Sequence, residues 1–95
     1  MKIHWTKTAE EHLDAIYAYI ALDSAEYAKN MVDKLTHRSE QIAKFPLSGS
    51  TVPEYEQDKV REIIEIPYRI IYYIKPDRIE ILAVLHTARD LLKEE

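Results

Sequence analysis

The chain of 95 residues has no cysteine and only one glycine, one phenylalanine and one tryptophan. Without thiols it can form neither a disulfide nor a thiolate metal site, which suits a reducing compartment such as the cytoplasm. No apolar run approaches the ~18 residues of a membrane span, and the opening MKIHWTKTAEEH lacks the apolar core of a signal peptide. A basic block is also missing. Thirteen Lys and Arg stand against 17 Asp and Glu, a net charge of −4, divided as 7 against 10 in residues 1–60 and 6 against 7 in residues 61–95. Proteins that grip phosphates show a basic stripe, so composition argues against direct nucleic-acid binding. The phosphate-cradling glycine loop, the G-x-S-x-G elbow and paired histidines at metal spacing are absent too. Neither a metal nor a cofactor is expected.

What the chain does have is apolar material, 46% of it, enough for one domain over residues 1–95 with one modest core. The organising stretch is Arg61 to His86, which reads as three strands, REIIEI, YRIIYYI and RIEILAVLH. β-Branched isoleucine dominates, and Pro67 and Lys75-Pro76-Asp77-Arg78 supply the breaks of two tight hairpins. Strict alternation is missing at Ile63-Ile64, Ile70-Ile71 and Leu82-Ala83-Val84-Leu85, so both sheet faces need cover.

Met1 to Trp5 alternates as a short first strand. A helix begins at Thr6 or Thr8, where Thr8-Ala-Glu-Glu11 has capping-box spacing, and places Ala9, Leu13, Ile16 and Ile20 on one side. Asp23-x-x-Glu26 is a second capping box, opening a longer helix that runs to about Lys44 with Ala25, Ala28, Met31, Val32, Leu35, Ser39 and Ile42 in its stripe. The short link makes the two helices an antiparallel hairpin. Phe45 to Lys59 reads as a long loop of the kind that is functional or wraps a core, and a short helix is expected after Thr87 or Asp90. The expected fold is α+β, β-α-α-β-β-β, with a mainly antiparallel four-stranded sheet and the helical hairpin on one face. The other face has only the terminal piece for intrachain cover. It is expected to bind a partner, or else to stay half-solvated behind Tyr68, Tyr72 and Tyr73.

Two residues carry the chemistry worth testing. Arg69 lies in a strand otherwise made of Tyr and Ile, so its guanidinium must pair internally, with Glu62 or Glu65, or meet a partner. His86 ends a strand, either capping backbone there or standing as a reachable, partly desolvated titratable group. His4, His12 and His37 read as surface groups. If Arg69 and His86 act together, phosphodiester cleavage is conceivable, with His86 as acid or base and Arg69 on the phosphate.

Trp5-Thr6-x-x-Ala9, Ile16-x-x-Tyr19-Ile20, Phe45-Pro46-x-x-Gly49-x-x-Val52-Pro53-Glu54-Tyr55, Arg61-Glu62, Tyr68-Arg69-Ile70-Ile71-Tyr72 and Val84-Leu85-His86-x-x-Arg89-Asp90-Leu91 occur in that order. Together they resemble the ParE/RelE toxin superfamily over nearly the whole chain. The resemblance implies a toxin of a type II toxin–antitoxin, or plasmid-stabilisation, system that is neutralised by a co-expressed antitoxin in a hetero-oligomer. RelE-like members are ribosome-dependent mRNA endonucleases with lysines on the second strand and a tyrosine near the C-terminus. Here Arg61-Glu-Ile-Ile-Glu-Ile66 has no lysine and Arg89-Asp-Leu-Leu-Lys93 no tyrosine. The ParE-like branch fits His86-x-x-Arg89-Asp90-Leu91 better and implies growth inhibition by poisoning DNA gyrase without chemistry. The alternatives are a RelE-like mRNA interferase acting at the ribosome, with Arg69 and His86 catalytic, and a non-toxic binding module. Arg61, Arg69, Tyr72, His86, Arg89, Leu91 and Leu92 are the residues expected to meet partners. The placement of Arg61, Arg69, Arg78 and Arg89 separates the readings, since convergence on one face would favour a polyanionic target.

Overall fold

In the computed structural model, which describes residues 1–87, strand β1 (Lys2–Trp5) leads into helices α1 (Lys7–Ala21) and α2 (Ala25–Lys44). A 3-10 turn (Pro46–Ser48) and a short strand β2 (Ser50–Thr51) precede β3 (Val60–Glu65), β4 (Tyr68–Ile74) and β5 (Arg78–His86). The sheet order is β1-β5-β4-β3-β2, with β1 parallel to β5 and the other pairs antiparallel. The α+β class and the helical hairpin agree with the sequence reading, but the sheet has five strands among the described residues rather than four. The extra strand lies inside the segment read as loop. Ser50 and Thr51 pair with Glu62 and Arg61 and are both exposed, so no apolar alternation marks them. The expected C-terminal helix lies outside the described residues.

Both helix starts sit close to their expected places, with different caps. The Thr6 Oγ1 accepts from Ala9 N at 3.1 Å and donates to the Ile81 carbonyl at 2.8 Å. One hydroxyl therefore ends β1, caps α1 and ties it to β5, whereas Thr8 is exposed within the helix. At α2 the cap is Ser24, whose Oγ accepts from Tyr27 N at 3.1 Å, rather than Asp23. Ala9 and Ile16 of α1 and Ala28, Leu35, Ser39 and Ile42 of α2 are buried, as their spacing requires.

A β-bulge explains the irregular pattern of β5. Ile71 lies opposite Ala83 but Tyr72 lies opposite Ile81, so Leu82 is an extra residue that shifts the register. Ile79 and Ile81 before it, and Val84 after it, join the helix-side core with Ile63, Ile70 and Tyr72. Ala83 and Leu85 join the opposite face with Val60, Ile71 and Val52. That second face is not the open surface expected from the sequence. Ile71 is 0% exposed and Ala83 and Leu85 are each 6% exposed, and Val52, from the segment after β2, packs against them. Closure of this face depends on a segment without helical or strand period, so no pattern announced it.

Candidate functional site

Three of the residues expected to meet partners hold the segment between α2 and β3 against the sheet. Tyr72, on β4, is fully buried; its hydroxyl donates to the Pro46 carbonyl at 2.6 Å and accepts from Gly49 N at 3.0 Å. Burial pushes its pKa up, and the Gly49 hydrogen bond, the Arg61 charge and Ser48 pull against that. Arg61, on β3, donates from Nε to the Asp58 carbonyl and from a terminal nitrogen to the Gly49 carbonyl, both at 2.9 Å. Gly49 is required here by space rather than by φ. A Cβ on it would lie 2.5 Å from the Tyr72 hydroxyl and 2.6 Å from the Glu62 carbonyl oxygen.

Arg69 is the third. Its side chain is 8% exposed and its terminal nitrogens reach Glu54 Oε2 at 2.6 Å and Glu62 Oε1 at 2.9 Å. The same nitrogen that bonds Glu62 also lies 3.4 Å from Glu54 Oε1, so Glu54 is gripped by both prongs of the fork. The Glu54 hydrogen bond does most to raise the Arg69 pKa; burial opposes it and Glu62 adds to it. Of the two carboxylates expected, Glu62 is confirmed, but Glu65 turns away to lie 3.3 Å from Arg38 Nε. Glu54 was missed because it sits 15 residues from Arg69 in a segment with no period. The guanidinium is an internal strut rather than an open anchor.

His86 stands apart from this network. It is exposed, lies opposite Tyr68 and meets it edge-on, with ring centroids 5.9 Å apart and planes at 79°. Beside it runs a groove of about 560 Å³ between α1 and the end of β5, lined by His12, Ala15, Ile16, Tyr19, Pro67, Tyr68, Val84, Leu85 and His86. His12, read from the sequence as a surface group, is half-buried and its Nδ1 accepts from Val84 N at 3.2 Å. β1 stops pairing at Trp5 and Ile81, and the Val84 N–H on the edge of β5 beyond it is satisfied by the helix that follows β1. His12 lies three residues after Ala9 and four before Ile16, at the edge of the buried stripe of α1, a spacing that hints at this half-buried place.

Arg61 and Arg69 occupy opposite faces by register, facing Tyr72 and Leu85 respectively, and Arg78 is paired with Asp77 and Glu80 at 3.3 and 3.1 Å. Arg89, Leu91 and Leu92 lie outside the described residues. Among the described residues no group of three His, Asp or Glu is arranged to hold a metal, and no helix is long and apolar enough to cross a membrane.

Comparison with known proteins decides the family. Residues 3–91 match the ParE toxin of type II toxin–antitoxin systems, parDE. The chain belongs to the ParE toxin family. It is 34% identical over 85 residues to the candidate toxin Y4kP of Sinorhizobium fredii, covering 90% of this chain and 86% of that protein. Its fold resembles a chain of the chromosomal ParDE toxin–antitoxin system from P. aeruginosa, with a TM-score of 0.74 at 28% identity, covering 90% of this chain and 95% of that one. The ParE match takes in the buried Arg69, both of its carboxylates and the clamp on Gly49, so the clamped segment lies within the family's span.

Proposed function

We propose that this ParE-family toxin is neutralised by a cognate antitoxin in the cytoplasm and arrests growth by binding DNA gyrase, without chemistry of its own. The observation that carries the reading is the state of Arg69. As the cation best placed by sequence for phosphate chemistry, it is buried and held between Glu54 and Glu62, where a polyanion would have to displace two carboxylates. The opposite facing of Arg61 and Arg69 and the pairing of Arg78 with Asp77 and Glu80 support the same direction, as does the net charge of −4. The likeness to a ParDE toxin–antitoxin system supports the antitoxin partner. On this reading His86, Arg89, Leu91 and Leu92 are contact residues, and Arg61, Arg69 and Tyr72 hold the segment between α2 and β3 in place.

The test is to incubate the purified chain with gyrase, ATP and supercoiled plasmid and to look for linear DNA after denaturing the protein. Accumulated linear plasmid is the expected result. Intact plasmid, together with mRNA cut only when ribosomes are present, would replace this reading with the RelE-like nuclease.

A further inference from the structure

The hydrogen bonds that tie α1 to β5 differ in how they answer to pH. At the start of the helix the Thr6 N–H and hydroxyl both donate to the Ile81 carbonyl, at 3.1 and 2.8 Å, where β1 ends. Neither group changes charge near neutral pH. Further along the helix, His12 Nδ1 accepts the Val84 N–H at 3.2 Å. Val84 is 3% exposed and lies beyond the last pair of β1 with β5, so on that edge its N–H meets an imidazole where a strand has stopped. An imidazole accepts at Nδ1 only while it is neutral with its proton on Nε2, because both nitrogens of the charged ring are donors. Protonation sets donor against donor.

We infer that His12 is a pH-sensitive latch on the edge of β5, closed by the neutral ring and released when the ring takes up a proton. Its surroundings offer the charged ring no anion that would hold it in place. The titratable groups facing it across the groove are His86 from β5, Tyr68 from β4 and Tyr19 from α1, and neither α2 nor β1 lines the groove among the described residues. No Asp, Glu, Lys or Arg lines it among those residues either. On α1 itself, Thr8, Ala9, Ala15 and Ile16 stand three and four residues away and are uncharged, whereas Glu10, Glu11 and Asp14 are exposed at spacings that do not face His12. A second imidazolium at His86 would add repulsion. The Thr6 bonds persist, so release is local: the seam opens past Ile81 and uncovers a strand edge of the kind that another segment can pair with. This inference concerns the seam alone and holds whether or not the chain acts on gyrase.

Amide hydrogen exchange read by NMR on the full chain, expressed as protection relative to the unfolded rate at each pH, tests it. From about pH 8 to about pH 5, the span over which imidazoles change charge, protection of the Val84 amide should fall about tenfold. The Thr6 amide should keep its protection. His12→Asn puts an oxygen acceptor that does not titrate near the place of Nδ1, so the fall at Val84 should vanish. His86→Gln removes the other imidazole of the groove and should leave the fall as it was. Constant Val84 protection in the unsubstituted chain, an equal fall at Thr6 and Val84, the same fall in His12→Asn, or its loss in His86→Gln would each overturn the inference.

Discussion

On the helix side of the sheet, Ile63, Ile70, Ile79, Ile81 and Val84 are closed over by Ile16, Leu35 and Ile42, a contact made of interchangeable apolar surface. On the opposite side a small apolar cluster of Val52, Val60, Ile71, Ala83 and Leu85 lies beside a polar lock, Arg69 between Glu54 and Glu62. The first closure is distributed and tolerant of shape. The second is specific, since burial of three charged groups is favourable only while all are present. Placing a long irregular segment on a sheet demands that specificity, because no repeating stripe can fix its register.

The comparison is broken most directly at Arg69. Arg69→Ala removes the fork that holds Glu54 and Glu62 and should cost about 3–5 kcal/mol in urea unfolding. A cost below about 1 kcal/mol would mean the lock is dispensable. Replacing all three residues by apolar ones of similar volume should recover most of the loss, which sharpens the point that pairing, not charge as such, matters. On the helix side, Leu35→Ala should cost about 2–5 kcal/mol by opening a cavity, while Leu35→Met should stay below about 1.5 kcal/mol. If both replacements were equally damaging, the tolerant character assigned to that face would be wrong.

Smaller effects locate the clamp. Gly49→Ala forces a methyl group into the Tyr72 hydroxyl and the Glu62 carbonyl, and about 1–3 kcal/mol of overpacking is expected. Hydrogen exchange should then quicken around Val52 and leave the α1 and α2 amides as they were; uniform quickening would show that the two faces do not open separately. Tyr72→Phe removes the bonds to Pro46 and Gly49 and should cost about 1–2 kcal/mol. Tyrosine pKa values raised in the folded state give the smallest signal, on the alkaline side. Unfolded tyrosines ionise near pH 10, whereas folded Tyr68 and Tyr72 hold their protons above it. Their contribution is therefore complete below about pH 10 and falls as pH rises through the folded values. Tyr72→Phe should make that decline shallower in alkaline melts, and an unchanged slope would remove Tyr72 from the account.

Where the sequence reading succeeded, the signal was local. The strands Val60–Glu65, Tyr68–Ile74 and Arg78–His86 and the helices Lys7–Ala21 and Ala25–Lys44 follow from composition, breaks and periodicity over a few turns. The caps were missed narrowly, at Thr6 and Ser24 rather than Thr8 and Asp23, because neighbouring Ser, Thr and Asp residues compete for the position and the winner is set by tertiary bonds such as Thr6 to Ile81. The site was less legible. His86 is exposed beside Tyr68, Arg69 found Glu62, and the long segment does wrap the sheet, but the roles of Glu54 and Gly49 had no pattern to carry them.

By itself the sequence determined the α+β class, the helical hairpin, the strands β1, β3, β4 and β5 and the family, because propensity, alternation and motif spacing act between near neighbours. Only the tertiary structure decided that β1 lies parallel to β5, that the Leu82 bulge divides β5 between two cores, and that Arg69 is held between Glu54 and Glu62. Those outcomes depend on pairings between strands and segments, from Arg69 with Glu62, 7 residues apart, to Thr6 with Leu82, 76 apart. Such pairings follow from which groups folding leaves buried and in need of partners, a condition that exists only once the layers have packed.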